Sequence, residues 1–416
     1  MEIIKSFRPY EMSDHCQRVF NPIRSFVENE IAFIPATELS DPSRPKDPIN
    51  VSYGDPCVYK DFKPNPNDLE LLVGGVGKYD GYCDFPGIPE TRKFLKDFYT
   101  ARGNFEVDES DVFLTQGCSM ALWLAINTLA EKGDNILVPN PGFPLSKAIA
   151  KSQHIGVKEY LLLPHQNWEI DLKDLEGHID EHTKAILINN PSNPTGAVFS
   201  RHHIVDICKI ADKYKLPIIA DEVYEDMVYP GLKFVSFAEV STNVPILLCS
   251  GLSKKQFAPG WRTGWLVLNG AKGVFDQIKI GLNNLLSILM NSNTICMQNI
   301  PQIVDKDPNF LKGKMEKIEH RMEVLKENLT GVDCYEVLKS QGAMYAVILV
   351  NVEKFQDITD TKDFCVKLYK SHNVLCFPGE CFGGKNFVRI VTCSDEVVIK
   401  ELCKRMKEFY LINQKK

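Results

Sequence analysis

The sequence lacks the features of several large classes of protein. It has no apolar run of the roughly 20 residues that cross a bilayer. Its first residues, which include Glu2, Glu11 and Asp14, match neither a secretory signal nor a transit peptide. An excess of positive charge is also missing, because the formal net charge is -6. The charge therefore gives no reason to expect nucleic acid or an anionic membrane as a partner.

Paired cysteines are missing as well. The 13 cysteines are scattered from Cys16 to Cys403, without a C-x-x-C pair or a cluster at metal-ligand spacing. An odd, scattered set of this kind is typical of reduced thiols, and it predicts no metal site. Internal repeats and low-complexity tracts are absent too. We therefore expect a cytoplasmic protein with no nucleic-acid partner and no membrane partner.

Short apolar runs alternate with amphipathic segments between about residues 111 and 270. The runs at 135–139, 185–189 and 246–249 are typical of buried strands, and the segment 201–214 has the apolar spacing of a helix. This alternation predicts an α/β fold with a mainly parallel sheet covered by helices on both faces. In such a sheet the ligand lies beyond the carboxyl ends of the strands.

The pattern changes after residue 269. Long charged helices then surround two predicted strands, at 345–351 and 387–392. Because 416 residues are enough for two domains, we predict a large domain over 48–305. A smaller α+β domain over 306–416 is completed by an N-terminal arm, residues 1–47.

Two segments that follow predicted strands carry candidate binding groups. One suits an anion, and the other suits a cation. Gly117, Cys118 and Ser119 open a helix, and the free N–H groups and dipole of a helix N-terminus favour a phosphate. A plain helix cap at Ser119 is the alternative. Asp221 follows an apolar strand, where a carboxylate needs a cation or good hydrogen bonds. A solvent-facing cap is the alternative for Asp221.

Two further strand-end segments carry ring and amide groups. Phe143 is fixed between prolines, so its ring can lie flat on an aromatic ligand or simply pack. Asn193 lies in a run of Asn-Pro units that fixes the backbone in turns and can aim its amide. Tyr224 follows Asp221 closely enough to point into the same site.

Two adjacent lysines lie where the apolar run 245–249 ends. Small residues precede them, and Arg262 follows Lys254 at eight positions. A lysine in such a place can form a Schiff base with an anionic cofactor, although loops of this kind with two lysines are usually solvated. Combined with the other strand-end residues, Lys254 or Lys255 completes the set of groups that pyridoxal phosphate requires.

The chain resembles the class I, fold-type I pyridoxal-phosphate-dependent aminotransferases, and among them it is most similar to those that act on tyrosine. The resemblance implies a mainly parallel, seven-stranded sheet between helices in the large domain. The spacing to Arg262 matches the family only from Lys254. The motifs that carry the resemblance span nearly the whole chain: Asn21-Pro22-Ile23-Arg24, Ser52-Tyr53-Gly54-Asp55-Pro56, Gly81-Tyr82 with Gly87, Asn193-Pro194-Thr195-Gly196, Asp221-Glu222-Val223-Tyr224, and Pro259-Gly260-Trp261-Arg262-Thr263-Gly264-Trp265.

The resemblance also implies a role for each site residue. Lys254, Asp221 and Tyr224 would be catalytic, with Lys254 as the Schiff-base lysine. Tyr82 would reach across from a second subunit, which implies a homodimer with shared active sites. The residues implied to bind pyridoxal 5′-phosphate are Gly117, Cys118, Ser119, Phe143, Asn193, Asp221, Tyr224, Lys254, Arg262 and Tyr82. The residues implied to bind the substrate are Arg389, Gly54, Asn193 and Arg24.

The chain departs from the aspartate-type members of this family. Gly251 stands where they have a phosphate-supporting serine, and the segment 280–304 has no Lys or Arg that could hold a second carboxylate. That segment instead offers apolar side chains at Leu285, Leu286, Ile288, Leu289 and Met290.

These departures favour aromatic L-amino acids, namely tyrosine, phenylalanine and tryptophan, as amino donors. We expect a 2-oxo acid such as 2-oxoglutarate or pyruvate as acceptor, with Arg24 as the cation for a distal carboxylate. An alanine-type or broad-specificity aminotransferase and a cysteine-S-conjugate β-lyase are alternatives. A non-catalytic ligand-sensing module is disfavoured, because no DNA-binding segment or basic patch accompanies the domain.

Overall fold

The computed structural model of the protein describes residues 16, 18–32, 34, 36–39, 42–45, 47–74, 77, 79–290, 292–304 and 308–415. Residues 1–15 of the predicted arm and the predicted domain boundary at 305 and 306 lie outside the described residues. The domain limits therefore stay a prediction. None of the helices in the described ranges combines the length and apolarity that crossing a membrane needs.

The strands of the described residues are numbered here in chain order. They are β1 (Ile49–Asn50), β2 (Val112–Thr115), β3 (Asn135–Asn140), β4 (Gly156–Leu163), β5 (Glu169–Ile170), β6 (Thr183–Asn189), β7 (Ile218–Asp221), β8 (Ile246–Gly251), β9 (Gly264–Asn269), β10 (Tyr335–Val337), β11 (Tyr345–Val350), β12 (Val374–Leu375), β13 (Phe377–Pro378) and β14 (Phe387–Val391).

Helices connect and cover these strands. The α-helices are Pro22–Phe26, Ala36–Leu39, Pro66–Gly74, Pro89–Thr100, Cys118–Leu129, Leu145–Ser152, Leu172–Gly177, Arg201–Tyr214, Phe237–Val240, Leu252–Lys255, Asp276–Leu289, Thr294–Met297, Ile300–Val304, Pro308–Leu329, Thr361–His372 and Glu396–Asn413. Shorter 3₁₀ turns lie at Pro56–Val58, Glu109–Asp111, Pro259–Trp261, Val352–Lys354 and Gly379–Phe382, and a π-helical turn lies at Val27–Ile31.

The larger sheet has the strand order β2-β9-β8-β7-β6-β3-β4-β5. The pairs from β8 through β7, β6 and β3 to β4 are parallel, whereas β9 and β5 run antiparallel to their neighbours. The predicted mainly parallel sheet is therefore confirmed. Its body has the expected seven strands, and the two-residue β5 adds an eighth at one edge.

The central strands are covered on both faces, as their continuous apolar sequences require. Every residue of β7, β8 and β9 is buried. The helix Cys118–Leu129 packs across β7, β8 and β9. It begins immediately after β2, because Gly117 adopts φ +80, which a side chain would oppose. The sheet is thus held rigidly beneath the loops at its carboxyl edge.

A second, antiparallel sheet has the order β10-β11-β14-β13. The helices Pro308–Leu329, Thr361–His372 and Glu396–Asn413 pack with it and with one another. Strand β1, which precedes the larger sheet in sequence, pairs with β12 of this second unit through Ile49 and Val374. A segment early in the chain and one near its C-terminal end are therefore joined in the second unit.

Candidate active site

The carboxyl ends of β2, β3, β6, β7 and β8 meet at one edge of the larger sheet. Their strand directions in the sheet place the segments after each of them side by side. Asp221 ends β7, and Lys254 lies in the short helix that follows β8. Polar groups that are far apart in sequence are thereby brought to one place, where α/β sheets bind ligands.

Asp221 is a buried acid with few partners. Its carboxylate accepts hydrogen bonds from the Val223 backbone N–H at 3.4 Å and from the Cys118 thiol at 3.5 Å. Burial raises the pKa of Asp221 to about 6, although those hydrogen bonds and the charge of Lys254 act in the opposite direction. Within the described ranges no lysine or arginine forms an ion pair with it. This carboxylate is thus suited to pair with a cation supplied by a ligand.

The two adjacent lysines have different surroundings. Lys255 forms ion pairs with Asp226 at 2.7 Å and with Glu225 at 3.3 Å. Burial opposes its charge, but these two acids raise its pKa. The Lys254 ammonium instead donates to the Gly54 backbone carbonyl, and no acid of the described chain is ion-paired with it. Lys254 therefore has the amine that can leave its contact and bond a ligand.

The predicted phosphate-binding position, the start of the helix Cys118–Leu129, has no side-chain cap. Gly117 is the residue before the first helical turn and provides no capping side chain, so the first N–H groups have no intrahelical partner. Arg262 donates to the Gln116 carbonyl at 2.9 Å and to the Pro259 carbonyl at 2.8 Å. A Cβ on Gly117 would lie 2.4 Å from the Arg262 guanidinium. Gly117 thus leaves the space in which Arg262 approaches the helix N-terminus.

Ser119 lies in the second position of that helix, and it is exposed. The alternative interpretation of Ser119 as the helix cap is therefore wrong. The cap position belongs to Gly117, whose positive φ turns the chain into the helix two residues earlier than a cap at Ser119 would. Ser119 keeps a hydroxyl at the open helix end.

Arg389 lies on β14 and is 2% exposed. Its guanidinium donates to the Asn193 side-chain oxygen at 2.9 Å and to the Ser52 backbone carbonyl. Its Nε has no hydrogen-bond partner in the described structure, and burial lowers its pKa. A buried arginine without a carboxylate partner is costly. Its planar fork suits an incoming carboxylate.

Tyr224 and Tyr345 form a buried pair that the sequence motifs reveal only in part. Their hydroxyl oxygens are 2.8 Å apart, and their rings meet edge to face with centroids 5.8 Å apart. Burial raises the pKa of Tyr224 well above its ordinary value, and the neighbouring Tyr345 adds to this. From the sequence, Tyr345 is recognisable only as the first residue of the predicted strand 345–351. Its proximity to Arg389 depends on strand pairing, which no local motif reports.

Several predicted site residues lie at the surface. Phe143 is 39% exposed and Tyr82 is 90% exposed. Arg24 is exposed and forms an ion pair with Glu28 at 2.6 Å, one helical turn away. The structure therefore does not bring these three side chains into the buried cluster. Leu286, by contrast, is fully buried in the core. The prediction that it offers apolar surface to a substrate, as part of the segment 285–290, is therefore wrong.

The chemistry of the donor groups fits pyridoxal 5′-phosphate. The buried, unpaired carboxylate of Asp221 suits a ring nitrogen, and the open helix N-terminus beside Arg262 suits a phosphate. Lys254 provides an amine without an acid partner, and Tyr224 provides a phenol. These groups come from three separate segments of the chain, and the fold places them at one sheet edge.

Comparison with known proteins also indicates an enzyme that uses pyridoxal 5′-phosphate. The profile of the family described as aminotransferase class I and II matches residues 48–406. Tyrosine aminotransferase of Mus musculus is 36% identical over 406 residues, which cover 97% of this chain and 87% of the relative.

Two solved structures share the fold along nearly the full length of the chain. Tyrosine aminotransferase from Leishmania infantum has a TM-score of 0.91 and 31% identity, covering 99% of this chain and 100% of its own. Alanine aminotransferase from Pyrococcus furiosus has a TM-score of 0.89 and 27% identity, covering 97% of this chain and 100% of its own. The chain belongs to the class I and II aminotransferase family, whose cofactor is pyridoxal 5′-phosphate.

Proposed function

We propose that this aminotransferase moves the amino group between aromatic L-amino acids and a 2-oxo acid such as 2-oxoglutarate or pyruvate. The observation that carries the proposal is the pairing of two groups at adjacent strand ends. Among the described residues, buried Asp221 forms no ion pair with a cation, and Lys254 forms none with an acid. Each lacks the partner that a ring nitrogen and an aldehyde carbon would provide.

Lys254 and Asp221 are the proposed catalytic pair, together with Tyr224. The bound cofactor supplies an electron sink for the pair of electrons left when the substrate Cα–H bond breaks. The Lys254 amine would hold the cofactor, and it would serve as the base and acid that moves the proton at the substrate Cα. Asp221 stabilises the positive charge on the ring nitrogen, and the Cys118 thiol orients its carboxylate.

The remaining cofactor contacts are assigned by position and donor type. Tyr224 and Asn193 are proposed to donate to the ring oxygen, and Phe143 to stack on the ring. The Phe143 side chain is partly exposed, so a ligand can reach it. Gly117, Cys118, Ser119 and Arg262 would hold the phosphate at the helix N-terminus.

Arg389 is the proposed clamp for the substrate α-carboxylate. It is already oriented by Asn193 and by the Ser52 carbonyl, so little side-chain entropy is lost when the carboxylate binds. Gly54 would place its backbone beside the same carboxylate. Arg24 is proposed to bind the distal carboxylate of a dicarboxylic acceptor, which would require it to exchange Glu28 for the ligand.

The preference for aromatic donors has two supports. The segment 280–304 contains no cation for a second carboxylate, and exposed apolar side chains lie at Ile288, Leu289 and Met290. The similarity to tyrosine aminotransferases points the same way. An alanine-type specificity is the second candidate, because the Pyrococcus structure named as an alanine aminotransferase shares the fold closely.

We further propose a homodimer in the cytoplasm. Tyr82 is 90% exposed, as expected of a side chain that completes the phosphate seat of a second copy. Exposed apolar residues such as Ile280 and Ile288 would be covered by the same contact. None of the 13 cysteines, all of which lie in the described part of the chain, forms a disulfide, which suits a reducing compartment.

Borohydride trapping tests the assignment of the lysine. Reduction of the cofactor-loaded protein followed by peptide mass spectrometry should place the adduct on Lys254. The Lys254→Ala variant should show no adduct and no turnover. Lys255→Ala is the matched control: it loses an ion-paired neighbour but should still be labelled on Lys254. An adduct on Lys255 in the unaltered protein would refute the assignment.

Steady-state rates with a panel of substrates test the specificity. Tyrosine, phenylalanine, tryptophan, alanine and a cysteine S-conjugate serve as donors, each with 2-oxoglutarate and with pyruvate. We expect kcat/KM for the aromatic donors to exceed that for alanine by about tenfold or more, which corresponds to about 1.4 kcal/mol. A preference for alanine would remove the aromatic specificity. Release of pyruvate and ammonia without an acceptor would instead show a β-lyase.

A further inference from the structure

Tyr345 lies between the two halves of the proposed site. It is the first residue of β11, it is 1% exposed, and it pairs with Val391 of β14. Arg389 lies two residues before Val391, so its side chain projects from the same face of the sheet. The guanidinium carbon of Arg389 is 4.6 Å from the centre of the Tyr345 ring. The ring of Tyr345 thus supports the proposed carboxylate clamp.

The hydroxyl of Tyr345 contacts the cofactor side of the site. It is 2.8 Å from the Tyr224 hydroxyl, and no other hydrogen-bond partner of the Tyr345 hydroxyl is present in the described part of the chain. It also lies beside Gly54, where a Cβ would be only 3.0 Å away. Gly54 in turn accepts the hydrogen bond from Lys254. One phenol therefore borders Tyr224, Arg389 and the segment that contacts the lysine.

Backbone hydrogen bonds fix Tyr345 relative to Tyr224. The N–H groups of Gln341 and Gly342 donate to the Gly196 carbonyl at 2.8 and 3.0 Å, and the Ala343 N–H donates to the Met227 carbonyl at 2.8 Å. Gly196 closes the turn that carries Asn193, and Met227 closes the turn that carries Tyr224. The start of β11 is therefore tied to both cofactor-contacting turns, so Tyr345 is held by more than its own side chain.

We propose that Tyr345 is a positioning residue whose hydroxyl donates to the Tyr224 oxygen and thereby directs the single O–H of Tyr224 towards the ring oxygen of the cofactor. This inference rests on the proposed role of Tyr224. A phenol has one proton, so Tyr224 cannot donate both to a ligand and to Tyr345. Since burial keeps Tyr224 protonated, the orientation of its proton decides what it stabilises.

Tyr345→Phe tests the inference, because it removes the hydroxyl and keeps the ring under Arg389. The readout is the pH at which the bound cofactor changes its absorbance in the loaded protein. Without the donor from Tyr345, the Tyr224 oxygen loses the hydrogen bond that polarises its O–H group, so Tyr224 donates less strongly and the anionic ring oxygen loses stabilisation. We expect this absorbance change, called the colour transition below, to move to higher pH by about 0.5 pH unit or more. The KM for the amino acid should change less than twofold, since Arg389 keeps its ring contact.

Tyr59→Phe is the matched control. Tyr59 is another phenol near Arg389 and Tyr345, but its hydroxyl donates to the Tyr53 carbonyl at 3.2 Å and not to Tyr224. Its removal should leave the colour transition in place. An equal shift in both variants would overturn the inference, since it would show a general effect of losing a phenol near Arg389.

A double-variant cycle separates positioning from structural support. Tyr224→Phe should shift the colour transition further than Tyr345→Phe. In the Tyr224→Phe background, Tyr345→Phe should add no further shift, because Tyr345 acts only through Tyr224. Additive shifts would overturn the inference, as would a raised KM in Tyr345→Phe without any colour shift. If the unaltered protein binds cofactor at Lys254 and only the Tyr345 results fail, the proposed function stands and this inference alone is wrong.

Discussion

Two adjacent acids, Asp221 and Glu222, lie at the end of the same strand and have opposite surroundings. Asp221 faces the sheet edge and has only a thiol and one N–H as donors. Glu222 is fully buried on the other side and accepts hydrogen bonds from the Ser236 hydroxyl at 2.7 Å and the Phe237 N–H at 2.8 Å. Strand alternation explains this division, since successive residues point to opposite faces. Asp221 is left available for a ligand, and Glu222 anchors the segment 236–237.

The burial of Glu222 predicts how the stability of the folded protein depends on pH. Burial raises the pKa of Glu222 from about 4.5 to about 8. Between these values the folded protein holds a proton that the unfolded chain has released, so stability falls as pH rises from about 4.5 to 8. Glu222→Gln should remove the contribution of Glu222 to this slope and be more stable than the unaltered protein near pH 9, on the order of a few kcal/mol. The measurement is denaturant unfolding at several pH values.

The control for that experiment is Glu181→Gln. Glu181 is exposed, so its replacement should leave the dependence of stability on pH unchanged. If the curves for Glu222→Gln and the unaltered protein run parallel from pH 5 to pH 9, Glu222 is not the group that couples folding to protons.

At the scale of secondary-structure elements, the helix Cys118–Leu129 connects the fold to the proposed cofactor. It starts at Gly117, whose positive φ leads the chain directly from β2 into the helix. The same glycine leaves room for Arg262, which itself adopts φ +50 after the 3₁₀ turn Pro259–Trp261. Two unusual backbone conformations thus meet at the helix N-terminus. Gly117 adopts its conformation readily, whereas the left-handed conformation of Arg262 is strained, as is common at ligand-binding sites.

Gly117→Ala tests this arrangement. A Cβ would contact the Arg262 guanidinium at 2.4 Å, so Arg262 must move away from the helix N-terminus. We expect the dissociation constant for pyridoxal 5′-phosphate to rise about tenfold or more, which corresponds to about 1.4 kcal/mol. Equilibrium binding followed by absorbance measures the change.

Gly133→Ala is the control with the same kind of backbone strain. Gly133 has φ +103 and open space where a Cβ would be placed. It should lose about 1 kcal/mol of folding stability and keep its affinity for the cofactor. Equal weakening of cofactor binding in both variants would mean that strain, and not displacement of Arg262, explains the effect.

At the scale of the whole molecule, the second sheet completes a site that begins on the first. Arg389 comes from β14 and Tyr345 from β11, whereas Asn193 and Tyr224 follow strands of the larger sheet. The hydrogen bonds Arg389 to Asn193 and Tyr345 to Tyr224 cross between the two units. A change in the position of the smaller unit would therefore alter the hydrogen bonds of both Arg389, the proposed substrate clamp, and Tyr224, the proposed cofactor phenol.

The proposed homodimer gives a prediction at this scale. If Tyr82 completes the site of the other subunit, then Tyr82→Ala and Lys254→Ala protomers should complement each other. A mixed dimer has one site with both an intact Lys254 and an intact Tyr82. Mixing the two weakly active or inactive variants after partial denaturation and refolding should therefore restore about a quarter of the unaltered activity.

The control mixture is Lys254→Ala with Asp221→Ala. Both of these residues belong to the same site of the same protomer, so the mixed dimer contains no intact site and activity should not return. Light scattering gives the mass of each sample. Activity that stays absent in the Tyr82 mixture, when the mass is that of a dimer, would contradict a site shared through Tyr82.

The sequence by itself determined the fold class and most of the groups at the sheet edge. Apolar runs at strand spacing indicated β3, β6, β7 and β8, because buried parallel strands need continuous apolar sequence. Loop motifs indicated Asp221 and Asn193, because strand-end segments in such sheets converge. The spacing between Lys254 and Arg262 could be read directly, since both lie in one short segment.

Only the tertiary structure decided which neighbours these groups have. The ion pairs of Lys255 with Glu225 and Asp226, the thiol beside Asp221, and the position of Tyr345 below Arg389 all join segments that are distant in sequence. Burial, and with it the direction of each pKa change, depends on such neighbours. Local patterns encode strands and turns, whereas packing between elements determines which amine, acid or phenol is left without a partner inside the fold.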